Sequence, residues 1–108
     1  MRALHHPDVA SVDLATLLDA LADPVRLRIV GQLADSGGVV CGGFDVPVGM
    51  STLSHHLKVL REAGLVRVTP EGSHRRHELR MDEIEQRYPG VLWPIIRAIH
   101  DRAAVAHS

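Results

Sequence analysis

Residues 51–66 read Ser51-Thr52-Leu53-Ser54-His55-His56-Leu57-Lys58-Val59-Leu60-Arg61-Glu62-Ala63-Gly64-Leu65-Val66, and this stretch decides the fold. Leu53, Leu57 and Leu60 recur at i, i+4 and i+7, the spacing of one face of an α-helix. Ser51, Thr52, Ser54, His55, Lys58, Arg61 and Glu62 fall mostly on the other faces. Gly64 stands where a helix takes a left-handed C-terminal cap. The spacing predicts a helix over 50–63 with a hydroxyl-rich N-terminal end and a basic outer side. Leu65-Val66-Arg67-Val68-Thr69 then reads as a strand, Pro70-Glu71-Gly72-Ser73 as a turn, and His74 to Arg80 as a returning strand. The pair is a β-hairpin with a basic second arm.

Upstream, Leu14, Leu17, Leu18 and Leu21 follow helical spacing and predict an amphipathic helix over 9–21. Asp23-Pro24 punctuates: Asp suits an N-cap, and Pro is tolerated at the first helical position. A second helix is expected from Pro24 to Asp35, ended by Gly37-Gly38. Its apolar rows (Val25, Ile29, Leu33 and Leu27, Val30, Ala34) imply burial on more than one side. The Gly-rich stretch 37–50 allows at most one helical turn, near Cys41–Asp45. Downstream, Asp82 is read as capping a short helix to Arg87. A last helix is expected over 91–106, with Leu92, Ile95, Ile96, Ile99 and Ala103 on one side and Pro94 inside its first turn.

The whole chain has 108 residues and a formal net charge of −1, which predicts one domain, 1–108. The charge is not evenly spread. Residues 1–50 hold three Arg against six Asp, residues 51–80 hold six cations against three Glu, and residues 81–108 hold three Arg against four acids. The local balances are −3, +3 and −1, so the positive share is confined to the helix and hairpin just described. A basic block inside a near-neutral chain marks a candidate anion-binding face. Arg26 and Arg28 sit between buried positions of the second helix and read as members of structural ion pairs. One cysteine, Cys41, excludes an internal disulfide framework and a Cys-only zinc site in one chain. No run approaches a membrane span, and Met1 to Ala22 does not read as a secretory signal, so a soluble cytoplasmic protein is expected. No nucleophile motif, phosphate loop or paired-acid constellation points to an enzyme.

A helix running at once into a basic two-stranded hairpin is the outline of a winged helix-turn-helix: mainly α with a small β-hairpin. The chain resembles the ArsR/SmtB family of small bacterial transcriptional regulators. Leu21-Ala22-Asp23-Pro24-Val25-Arg26-Leu27-Arg28-Ile29-Val30 looks like the family's second helix, and residues 51–66 look like its recognition helix entering the wing. The likeness spans residues 14–81. It implies a homodimer on a palindromic operator that answers to a metal or another signal. Two departures stand out: the supporting helix falls in the Gly-rich stretch, and the Cys-x-Cys of many metal sensors is here Cys41-Gly42-Gly43.

On this reading 50–64 is the recognition helix and 65–80 the wing. A recognition helix presents its N-terminal end to base edges in the major groove of double-stranded DNA. Ser51, Thr52, Ser54 and His55 stand there, with Ser54 and His55 the leading base readers. Lys58 and Arg61, further along, suit phosphates, as do Arg75 and Arg76 on the wing. Removing both wing arginines is expected to weaken binding across all sequences. The first and last helices offer the stripes Leu14, Leu17, Leu18 and Leu92, Ile95, Ile96, Ile99 for a homodimer interface. Eight histidines suggest a transition-metal effector, nickel or zinc, with His5, His6, His100 and His107 as candidate ligands and Asp101 nearby. The alternatives are a regulator without an effector and a winged-helix module that binds a partner protein. A DNA reader should lose affinity steeply with salt, and an interaction module should not.

Overall fold

The computed structural model describes residues 4–40 and 42–106, and of 102–106 the backbone alone. The elements run as a 3-10 turn (Val9–Ser11), α1 (Leu14–Leu21), α2 (Pro24–Ser36), β1 (Val39–Val40), α3 (Met50–Glu62), β2 (Val66–Glu71), β3 (His74–Leu79), α4 (Met81–Arg87) and α5 (Leu92–Ala106).

Each boundary has a local cause. The single helix expected over 9–21 is divided in two. Asp8 accepts from the Ala10 N–H and starts the 3-10 turn, Val12 is extended, and Asp13 accepts from the Thr16 N–H and starts α1. Two short acidic side chains thus satisfy backbone donors that a continuous helix would use internally. Asp23 caps α2 by accepting from the Val25 and Arg26 N–H groups, with Pro24 in the first turn. Those bonds hold its carboxyl below the ordinary value, the Arg26 amide contributing most. Asp23→Ala should therefore cost about 0.5–2 kcal/mol, read from the urea midpoint. No loss would mean that water replaces the cap at no cost. Gly37 (φ 74°) ends α2 in the left-handed region. Gly64 (φ 79°) turns the chain after α3, and a β-carbon there would approach Val12 to 3.3 Å. α4 begins one residue before the expected Asp82, which lies in its first turn instead of capping it.

The hairpin gains a third strand. β1 pairs antiparallel with β3, giving the order β1-β3-β2. Between β1 and α3 the described residues 42–49 form no helix, within the limit of at most one turn set by the glycines. Asp45 anchors this loop to α2. Its N–H donates to Gln32 Oε1 (3.0 Å), and its carbonyl accepts from Gln32 Nε2 (2.6 Å) and Arg28 Nε (2.9 Å). Phe44, Val46 and Val48 pack against the core, so the apolar contacts of a supporting helix are made by a loop.

α2 lies centrally and touches α1, α3, α5 and the sheet. Ile29, Val30 and Leu33 from α2 meet Leu57 and Leu60 from α3, Leu65, Val66, Ile84 and Ile96 in one buried cluster. Leu17, Leu92 and Ile96 belong to this core, at 0%, 0% and 1% exposure. They were expected at a subunit interface, but they are spent inside the chain because α1 and α5 both fold onto α2. Ile95 and Ile99 are half-buried beside them. Of the seven expected interface residues, Leu14 and Leu18 remain open, at 41% and 44% exposure.

Candidate nucleic-acid interface

α3 is held by its apolar row and bares its other side. Leu53, Leu57 and Leu60 are buried, while Ser51, Thr52, Ser54, His55 and Lys58 are exposed. The N-cap position belongs to Gly49 and carries no side-chain cap, so Ser51 is not the capping residue. His56, on the buried side, is held by Arg26, whose Nη1 lies 3.2 Å from His56 Nδ1. A guanidinium only donates, so Nδ1 accepts. Arg26 also donates to the carbonyls of Ala20 (2.6 Å) and Asp19 (3.4 Å), closing the end of α1. Arg28 pairs with Asp45 at 3.3 Å. Both arginines are structural, as expected, although Arg26 works through carbonyls and an imidazole.

The six cations of residues 51–80 divide by what they face. Arg67 and Arg80 both donate to Glu83. Arg80 is buried and also donates to the Pro7 carbonyl (2.8 Å). These bonds hold the Glu83 carboxyl below its ordinary value, the Arg80 bond contributing most. Arg76 pairs with Glu78 (2.9 Å) and Glu71 (3.7 Å) and lies over Gly38, where a β-carbon would come within 2.7 Å of its guanidinium. Strand alternation puts Arg75 on the other face of β3.

Arg75, Lys58 and Arg61 line one cleft of about 250 Å³ between α3 and the wing, together with Ser54. Its floor is Leu57, Val68, His77 and Leu4. The wing arginines expected to act together thus stand apart: one beside α3, the other in an ion-paired cluster. The sequence reading missed Leu4, which no local signal marks. Its segment is brought there by three bonds. Arg61 donates to the His5 carbonyl, Val68 N–H donates to His6 Nε2 (2.9 Å), and Arg80 donates to the Pro7 carbonyl. Val68 lies on β2, an edge strand, and its N–H is an outward one that would otherwise lack a strand partner.

His6 and His77 titrate below the ordinary imidazole value of 6.5. For His77 burial dominates and Arg75 adds to it; for His6 burial leads, followed by Arg67, Arg80, Arg61 and His5. A depressed folded value means that the unfolded chain binds protons more readily. The stability these groups contribute is complete above 6.5 and is lost as pH falls through their lowered values. The urea midpoint should therefore be lower near pH 5.5 than near pH 7.5. An equal or higher midpoint at the lower pH would contradict these environments.

Among the described residues the candidate metal ligands His6 and His100 are held apart. His6 Nε2 is occupied by the Val68 N–H, and His100 on α5 faces Asp35 on α2, Nε2 to Oδ1 3.1 Å. Among the described residues no group of three His, Cys, Asp or Glu side chains is disposed to hold a metal. His107 and Cys41 lie outside the described residues.

A solvent-facing helix N-terminus beside a cationic wing is the geometry of a DNA-reading head. Residues 21–69 match a family model described as a helix-turn-helix domain. The chain is 40% identical over 98 residues to the HTH-type transcriptional regulator CmtR of Mycobacterium tuberculosis, covering 86% of this chain and 80% of that protein. It is 33% identical over 87 residues to the transcriptional repressor SmtB homolog of Synechocystis, covering 76% and 66%. The chain belongs to the ArsR/SmtB family. This regulator also shares its fold with the transcriptional repressor BigR of Xylella fastidiosa, at a TM-score of 0.62 and 26% identity over 85% of this chain and 84% of that one. Against M. tuberculosis Rv0081 the TM-score is 0.64 and the identity 28%, over 86% and 90%. It is a DNA-binding transcriptional regulator with a winged helix-turn-helix. Among the described residues no helix is long and apolar enough to cross a membrane.

Proposed function

We propose that this regulator binds a palindromic operator as a homodimer, with α3 in the major groove and the wing against neighbouring phosphates. Ser54 and His55 read base edges, Ser51 and Thr52 support them, and Lys58, Arg61 and Arg75 hold phosphates. The supporting observation is the convergence of those three cations with Ser54 on one cleft beside the exposed end of α3. Two such heads on a two-fold axis would sit about 34 Å apart, one turn of DNA. Titration of a labelled duplex at several salt concentrations tests this reading. A steep fall of log affinity with log salt is expected, and a flat profile would overturn it.

The exposed pair Leu14 and Leu18, one helical turn apart on α1, is the surface we assign to the second copy. Leu18→Asp should leave the fold intact and yield a monomer by sedimentation at micromolar concentration. Wild-type chain that is already monomeric there would sink the dimer.

A transition-metal signal, nickel or zinc, is a second reading, favoured by the facing His100 and Asp35. Two donors fall short of the usual four, so the remainder would come from the second copy. Equal DNA affinity with nickel, with zinc and with chelator would remove this reading.

A further inference from the structure

The cleft between α3 and the wing has a composition that phosphate contact alone does not require. Its rim carries Lys58, Arg61 and Arg75, and none of its described lining residues is acidic. A phosphate seat needs only that rim. The floor is apolar, formed by Leu4, Leu57 and Val68. His77 also lines it, at 5% exposure, and its Nδ1 has no hydrogen-bond partner among the described residues. A buried polar atom in that condition calls for a partner. Cations over an apolar floor complement a molecule with an anionic head and an apolar body. A volume of about 250 Å³ lies just below the usual range of ligand sites and limits that body to a single ring or a short chain.

We propose that this cleft binds a small monocarboxylate with an apolar ring or chain, and that this ligand and DNA exclude one another there. The carboxylate sits against Lys58, Arg61 and Arg75, and the apolar body rests on Leu4, Leu57 and Val68. The ligand adds negative charge where a DNA phosphate would lie, so its binding releases DNA. The exclusion rests on the proposed assignment of these cations to phosphate; the ligand site does not.

The test uses the full chain without DNA and sodium benzoate as the probe, followed by calorimetry. Sodium acetate keeps the charge without the apolar body, benzamide keeps the ring without the charge, and inorganic phosphate stands for a bare phosphate seat. Benzoate should bind at least about tenfold more tightly than any of the three, because only benzoate gains both the ion pair and the apolar contact. Leu4→Asp, which puts a carboxylate into the floor, and Lys58→Gln, at an exposed position, should each weaken benzoate severalfold, the urea midpoint holding for Lys58→Gln. Benzoate binding no better than phosphate, or no better than benzamide, overturns the ligand site. A second arm measures a mixed-sequence duplex at low salt, with saturating sodium benzoate and with sodium acetate at the same ionic strength. A raised apparent Kd is expected. Benzoate bound in the cleft with unchanged DNA affinity overturns the exclusion and removes Arg75 from the phosphate contacts. Normal DNA binding by a chain that ignores benzoate overturns the ligand site alone.

Discussion

Leu17→Ala is expected to destabilise this regulator by about 2–5 kcal/mol. Leu17 has no exposed surface, and its side chain lies in the cluster formed by α1, α2 and α3. Truncation removes apolar contacts and leaves a cavity that the surrounding helices cannot fully close. Against a typical net stability of about 5–15 kcal/mol, such a loss is a large fraction of the whole. Urea unfolding followed by circular dichroism measures it. The same experiment on Leu18→Asp separates the two roles on α1. Leu18 faces outward, so its replacement should alter the association of copies and barely alter the unfolding of each. A cost below about 1 kcal/mol for Leu17→Ala, with dissociation into monomers, would return Leu17 to the subunit interface.

The double variant Lys58→Ala, Arg75→Ala should weaken DNA binding of the proposed homodimer roughly 1000-fold at ordinary salt, whatever the DNA sequence. Each lost phosphate contact removes about 0.9 from the slope of log affinity against log salt, and the proposed homodimer loses two per copy, so the slope should fall by about 3.6. Arg76→Ala is the informative contrast. Its guanidinium is held by Glu78 and Glu71 on the opposite face of β3. An arginine already paired with two carboxylates offers little to a phosphate, so its loss should move the slope far less than that of Arg75. Equal changes for Arg75 and Arg76 would put both faces of the wing on DNA and would refute the division drawn above. Fluorescence anisotropy of a labelled duplex over a salt series reads both quantities.

Sequence patterning reached a good part of this architecture because many of its signals are local. Leu53, Leu57 and Leu60 mark α3 through one helical period, Asp23-Pro24 marks the start of α2, and Gly64 marks the turn into the wing. The resemblance to a regulator family rests on those same segments. Signals that compete over a few residues were less legible. Leu14 to Leu21 carries a helical stripe, yet Asp13 starts a new helix there and leaves Val12 extended. Strand β1 holds only Val39 and Val40, too few residues to show alternation. It exists because β3 offers an edge to pair with.

Local patterning of residues sets the helical order, the hairpin after α3 and the confinement of positive charge to residues 51–80. These depend on periods and caps spanning a few residues, where the chain's own geometry dictates what meets what. Tertiary structure decided which members of each set are available for contact. It buried Leu17, Leu92 and Ile96 while leaving Leu14 and Leu18 open, since α1 and α5 both pack onto α2. It spent Arg67, Arg76 and Arg80 on carboxylates and gathered Lys58, Arg61 and Arg75 around one cleft. It also brought Leu4 to that cleft by holding residues 5–7 through Arg61, Val68 and Arg80. Ion pairs and edge-strand bonds form between groups close in space, and closeness between residues distant in sequence is fixed only when the core has packed.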